Sequence, residues 1–294
     1  MDLSKLQAEF VALQNDRSLF NETNLQGRER ALDFIRLIAE SVQARNPDPG
    51  LVALHQQTHG LQHQLEAVNW QLLRRMRSNI QASTSTRSQL RQQFDHFTDY
   101  LPHTHHQTHL GYDGLDILIS GLFEVEPPPQ ATNPPSLEMV HYEPTPARAI
   151  LDLVDHVHFT ADDLFYDLGS GLGQVAMLVN LLTGVRAKGV EIDAASCTYA
   201  QRCADQLGLT TIEFIHLDAR QVDYSDGTVF YLFTPFRGAI LQSVLDKLAT
   251  VAQHRPIRVC TYGACTLTVA QQPWLRSMNG NGDHEFKLAI FESH

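Results

Sequence analysis

Basic residues, cysteines and long apolar runs are all scarce in this chain, and each shortage narrows what it can be. Lys plus Arg number 22 against 33 Asp plus Glu, a formal charge of −11. The deficit is spread over both halves, so there is no general attraction to phosphate backbones or anionic lipid. Nucleic acid is therefore a poor candidate partner. No uninterrupted apolar run approaches the ~18 residues of a membrane span. The opening MDLSKLQAEF lacks the basic flank and apolar stretch of a secretory signal, so a cytoplasmic protein without a membrane partner is expected. Four cysteines, Cys197, Cys203, Cys260 and Cys265, show neither the Cys-x-x-Cys pairing of a zinc site nor the density of a disulfide scaffold, which leaves buried reduced thiols. Apolar residues, at 43% of 294, are sufficient for a packed core. The length fits two domains or one large one.

The chain has two textures. From Leu3 to about Phe123 apolar residues recur at helical periods. Ala31, Phe34, Ile35, Ile38 and Val42 share one face of a helix that the Asn46-Pro47-Asp48-Pro49-Gly50 cluster stops. Leu61, Leu65, Val68, Leu72 and Met76 form a longer stripe, with shorter candidates at Leu90 to Leu101 and Tyr112 to Phe123. Residues 124–140 contain the proline-rich run EVEPPPQATNPPSL, which can continue neither a helix nor a central strand. The expected domains are thus 1–123 helical, 124–140 linker and 141–294. In the last part, runs at Leu164 to Leu168, Ala187 to Ile192, Thr211 to Leu217, Thr228 to Thr234 and Ile257 to Tyr262 alternate with helical segments. That alternation predicts an α/β fold, a doubly wound, mostly parallel sheet. His284 to Glu292 is the expected final strand.

Fifteen histidines raise the question of metal. His55, His59 and His63 lie at i, i+4 and i+8, but His59 falls opposite the apolar stripe and no carboxylate or thiolate sits at ligand spacing beside them. They are read as a solvated face. The run His103, His105, His106 and His109 is read as a loop after Leu101-Pro102. No metal site is expected.

The chemistry concentrates at Leu164 to Val175, LFYDLGSGLGQV. An apolar strand ends in Asp167, then Gly169, Ser170, Gly171 and Gly173, with Gln174, form a tight turn into the helical run VAMLVNLL. Glycines permit the backbone angles of such a turn and let a ligand approach bare backbone. Gln174 stands where a G-x-G-x-x-G fingerprint requires its third glycine, so NAD and FAD fit poorly, and the P-loop pattern is absent. Glu191, about twenty residues on and followed by Ile192, closes the next strand where a carboxylate can accept ribose hydroxyls. Asp218, followed by Ala219, ends the third strand, where it can accept an adenine amine. Three successive strand tips thus rim one glycine turn with carboxylates, the pattern of a nucleoside site.

DLGSGLG followed by VEID and LDA resembles the class I S-adenosylmethionine-dependent methyltransferases, from about Tyr142 to Glu292. The resemblance implies a Rossmann-like catalytic domain preceded by an all-helical one. It also implies that Asp167 and the glycine turn, with Ser170 and Gln174, hold the methionine part of S-adenosyl-L-methionine. Glu191 and Ile192 would hold the ribose side, and Asp218 and Ala219 the adenine. Phe159 to Val175, preceded by His141 to Thr145, HYEPT, is similar to the non-SET histone-lysine methyltransferases of the telomeric-silencing-disruptor type. Tyr142 and Thr145 match that family's Tyr-Gly-Glu-Thr, while Glu143 replaces its Gly and Pro144 its Glu. Many bacterial methyltransferases carry a Tyr-x-Pro-Thr-Pro segment like Tyr142 to Pro146. The fourth strand ends in Thr234-Pro235-Phe236, where amino-group methyltransferases have Asn or Asp before Pro-Pro and an aromatic. Phe236 is the aromatic candidate beside the sulfonium, and Tyr142, Glu143 and Thr234 are the candidates to receive an acceptor proton. The implied function is methyl transfer to a protein lysine, another amine or a small molecule. A non-catalytic adaptor that binds the cofactor is the rival from another class.

Overall fold

In the computed structural model, residues 2–43, 48–97, 112–124, 127–129, 138 and 143–294 are described. Helix α1 (Leu3–Asn15) begins at Asp2, whose carboxylate accepts the Ser4 N–H. After a 3-10 turn at Arg17–Phe20 come α2 (Leu25–Val42) and α3 (Pro49–Gln81). Helix α3 starts with Asp48 as cap and proline in its first turn, where the missing N–H costs nothing. Helices α4 (Arg87–Asp95) and α5 (Gly114–Phe123) each open with a capping box, Thr86 with Gln89 and Asp113 with Asp116. Each box satisfies two backbone donors that a helix start leaves open. Helix α6 (Ala147–His156) leads into the alternating half.

That half contains β1 (Leu164–Leu168), α7 (Gln174–Thr183), β2 (Arg186–Glu191), α8 (Ala194–Gln206) and β3 (Ile212–His216). It continues with β4 (Val229–Phe233), α9 (Gly238–Ala252), β5 (Arg258–Tyr262), α10 (Cys265–Val269), β6 (Leu275–Ser277) and β7 (Ala289–Ser293). They build a seven-stranded sheet of order β3-β2-β1-β4-β5-β7-β6. The first five strands are mutually parallel, and β7 runs antiparallel between β5 and β6. This is the doubly wound, Rossmann-like class expected. The order reverses between β1 and β4, so the carboxyl ends of β1, β2 and β4 surround the crevice where such sheets bind ligands.

Two features depart from expectation. The last strand begins at Ala289 rather than His284, because the Leu288 carbonyl accepts the side-chain amides of Asn279 and Asn281 at 2.8 and 2.9 Å. Residues before it pass over the end of β5, where the Gly263 N–H donates to the Glu285 carbonyl at 2.7 Å. The three-residue β6 is too short to leave a periodic signal.

Alternate residues of the strands feed two apolar layers. Phe165, Phe214, Tyr231 and Tyr262 pack with α6, α7 and α8, and this layer also takes in Met76, Phe94, Leu118 and Leu122 of α3, α4 and α5. Tyr166, Leu168, Phe230 and Leu232 pack with α9 and α10 on the other face. A third, separate cluster joins α1, α2 and the first half of α3. All four cysteines are buried and none forms a disulfide. His59 and His63 are exposed and His55 half-buried on α3. The 103–109 histidines lie outside the described residues, as do Tyr142 and most of the proline-rich run. No helix among the described residues is long and apolar enough to cross a membrane.

Candidate active site

The glycine turn follows β1 because three glycines there adopt positive φ: Gly169 at 78°, Gly171 at 51° and Gly173 at 82°. A Cβ at Gly169 would lie 2.2 Å from the Pro235 ring, and one at Gly173 would lie 2.4 Å from the Phe214 ring. Both positions therefore require glycine for space as well as for backbone angle. The turn is pinned to β2 through the Val190 carbonyl, which accepts the N–H groups of Gly169 at 2.9 Å and Ser170 at 3.0 Å.

Glu191 completes that clasp. One carboxylate oxygen accepts the Gly171 N–H at 2.9 Å, and the other accepts Asp193 N–H at 2.8 Å. The side chain is half-buried, and each of its oxygens keeps a lone pair for a ligand hydroxyl. Asp167 is buried at the floor of the turn. It accepts the N–H of Ala176 in the first turn of α7, while its Oδ2 has no partner among the described residues. Burial, then the nearby Glu191 charge, pushes its carboxyl up to about 7, against the pull of the Ala176 N–H. The Ser170 hydroxyl is buried and unpartnered in the same way. Gln174 is buried at the start of α7.

On the far side, Ile192 and Leu217 are exposed at the tips of β2 and β3. Asp218 follows them with its carboxylate gripped by Arg220, Nη2 at 2.6 Å and Nε at 3.0 Å. That hydrogen-bonded pair, more than the slight burial opposing it, holds the carboxyl of Asp218 below its ordinary range. Ala219 is buried beside it, its carbonyl accepting the Tyr224 hydroxyl at 2.8 Å. The described members of the expected cofactor set, from Asp167 to Ala219, are thus brought to one edge.

The acceptor-side candidates lie around the ends of β4 and β5 and the entry to α6. Thr234 has φ 41°, and its hydroxyl is committed to the turn after β5, accepting Cys265 N–H at 3.2 Å and approaching the Tyr262 carbonyl at 3.4 Å. Phe236 is buried in the α9 layer with Ile240 and Leu241. Thr145 is buried at the entry to α6 and faces the Tyr231 phenol. Glu143 is exposed, and the Tyr112 hydroxyl lies 3.1 Å from its carboxylate and 2.7 Å from the Pro144 carbonyl.

Sequence reasoning missed the groups that hold this segment. Asp116 accepts Ala147 N–H at 2.7 Å, tying α5 to the start of α6, and Asp113 pairs with Arg148. Burial, against several hydrogen bonds, raises the Asp116 carboxyl above its ordinary range. Glu138 caps the start of α9, its oxygens accepting N–H groups of Ala239 and Ile240 at 3.2 Å each. The D-x-x-D spacing of Asp113 and Asp116 is a legible capping signal; nothing local marks Glu138.

Comparison with known proteins follows the same geometry. Residues 138–229 match the family model described as histone methylation protein DOT1. The match spans Glu138, the glycine turn, Glu191 and Asp218. Among solved structures, an RNA methyltransferase from Salinibacter ruber in complex with S-adenosyl-L-homocysteine is 21% identical, covering 51% of this chain and 92% of that one, with a TM-score of 0.40. An S-adenosylmethionine-dependent methyltransferase from Aquifex aeolicus is 14% identical over 51% and 92%, with a TM-score of 0.39. One from Thiobacillus denitrificans, again with S-adenosyl-L-homocysteine, is 24% identical over 42% and 51%, with a TM-score of 0.34. No curated protein matches the chain.

Proposed function

We propose that this chain is an S-adenosyl-L-methionine-dependent methyltransferase acting on an amine, with a protein lysine as the favoured acceptor. The observation that carries the reading is the unpartnered Asp167 oxygen at the floor of a turn in which Gly169 and Gly173 leave no room for side chains. A buried polar atom without a partner is costly unless a ligand supplies one. The α-ammonium of the cofactor's amino-acid part suits Asp167, and its hydroxyl-bearing ribose suits Glu191. The DOT1 match over 138–229 supports the amine acceptor.

When bound, the cofactor supplies a methyl group on a sulfonium that departs as a neutral thioether. The chain's task is then to hold donor and acceptor in line and keep water out. The glycine turn and Asp167 fix the amino-acid end, and Glu191 fixes the ribose. Asp218, both of whose oxygens Arg220 engages, is assigned to receive the adenine amine on a remaining lone pair. An amine must be neutral to attack, and exposed Glu143, steadied by Tyr112, is the described group we assign to take its proton. Residues 1–123 are proposed to contribute acceptor recognition, and 141–294 catalysis. The adaptor reading stays in play through one observation: Thr234 and Phe236 are engaged elsewhere.

Transfer of a labelled methyl group to cell extract tests this. The proposal expects label that protease releases and nuclease does not. Solvent-extractable label overturns the protein acceptor in favour of a small molecule, and absence of transfer by a protein that binds the cofactor favours the adaptor.

A further inference from the structure

We propose that the Tyr231 hydroxyl is a positioning group for the Asp167 carboxylate, holding it toward the ammonium of the cofactor's amino-acid head. The inference rests on the methyltransferase reading and adds to it a residue outside every motif of the sequence. Asp167 and Tyr231 are register partners on the adjacent parallel strands β1 and β4, so their side chains rise from the same face of the sheet. Tyr231 is 0% exposed. Its ring packs against Phe165, with centroids 6.5 Å apart, a setting that phenylalanine would fill equally well. Apolar packing alone therefore does not call for the oxygen. The Thr145 hydroxyl is turned to that oxygen as a donor, while the phenol's own O–H meets no acceptor among the described residues and Asp167 Oδ2 one strand away has no partner.

Among the groups whose charge acts on the phenol, Asp167 is the carboxylate; the others are Cys265 and Tyr262. Burial keeps the phenol protonated, far above its ordinary range, so it always offers an O–H. An ionised Asp167 is the natural acceptor, because a hydrogen bond to a charged oxygen is about twice as strong as one to a neutral oxygen. A cation bound on the other side of Asp167 would favour that ionised form. The Thr145 hydroxyl faces the phenol from the entry to α6. Through it the pair is linked to the segment that resembles the family's Tyr-x-x-Thr.

The test is Tyr231→Phe in the full chain, titrated calorimetrically with S-adenosylhomocysteine and with 5′-methylthioadenosine, which lacks the amino-acid head. Affinity for the first should fall about tenfold or more, affinity for the second should not change, and the melting temperature should hold or rise. In an Asp167→Asn background the same substitution should alter S-adenosylhomocysteine affinity by less than about twofold. Unchanged affinity for both ligands overturns the proposal. So does a parallel loss for both with a lower melting temperature, or a failure to fold, since each makes the hydroxyl structural. If the unmodified chain binds neither ligand, the methyltransferase reading itself falls.

Discussion

Asp167 is the residue on which the most can be measured. Its carboxyl is raised from 3.8 to about 7 by burial and by Glu191, so in the ligand-free protein it binds a proton more tightly folded than unfolded. Its contribution to stability is accordingly full below about pH 4 and is lost as pH climbs toward 7. A ligand ammonium needs the ionised form. Binding of S-adenosylhomocysteine at pH 6 should therefore expel close to one proton, and at pH 8 almost none. Calorimetry in buffers of different ionisation enthalpy reads this directly, and Asp167→Asn should abolish the release. At Asp218, replacement by Ala should weaken S-adenosylhomocysteine by about tenfold while moving the melting temperature little, because its partner Arg220 is a surface residue and such pairs add little stability. Equal melting loss with unchanged affinity would refute the adenine assignment. These carboxylates were legible in the sequence because each ends an apolar strand. Tyr231 was not, since within TVFYLFTPF it reads as one more core aromatic and only the register with Asp167 reveals its oxygen.

The glycine turn shows how an element is specified by what its neighbours leave no room for. Gly173→Ala would set a Cβ against the Phe214 ring and force a side chain onto φ 82°. A loss of about 1–3 kcal/mol is expected from the backbone conformation, read by denaturant unfolding, together with loss of S-adenosylhomocysteine binding. Strand, turn and helix were all readable here because apolar run, glycines and helical period follow one another without a gap. The five parallel strands were readable for the same reason. Order within the sheet was not, because register and neighbour choice depend on contacts far apart in sequence. At Thr234 and Phe236 the limit is a related one: a strand-end motif gives residue types but not where they turn. At Thr234 the backbone enters the left-handed region and carries the hydroxyl into the β5 turn.

Across the whole molecule, the apolar clusters do not follow chain order. The proline-rich stretch suggests a boundary between helices and sheet, yet α4, α5 and the end of α3 share one apolar cluster with β1, β4 and β5. The separate cluster is that of α1, α2 and the first half of α3. Buried Arg28 staples it, donating to the carbonyls of Leu19 at 3.1 Å and Glu22 at 2.7 Å and to the Asn69 side chain at 2.6 Å. Burial lowers its guanidinium to about 10, still charged at neutral pH. Arg28→Met should strand those carbonyls and cost about 3 kcal/mol in this unit. Hydrogen exchange should then show α1 and α2 losing protection while α4 and α5 keep theirs with the sheet. The account as a whole depends on the notch between β1, β2 and β4 gripping an adenosyl amino acid. Calorimetric titration of the folded 294-residue chain with S-adenosylhomocysteine is its most direct test. The account predicts one site per chain, weakened by Asp167→Asn and by Glu191→Ala; a folded chain that releases no heat and shows no thermal shift with that ligand would contradict it.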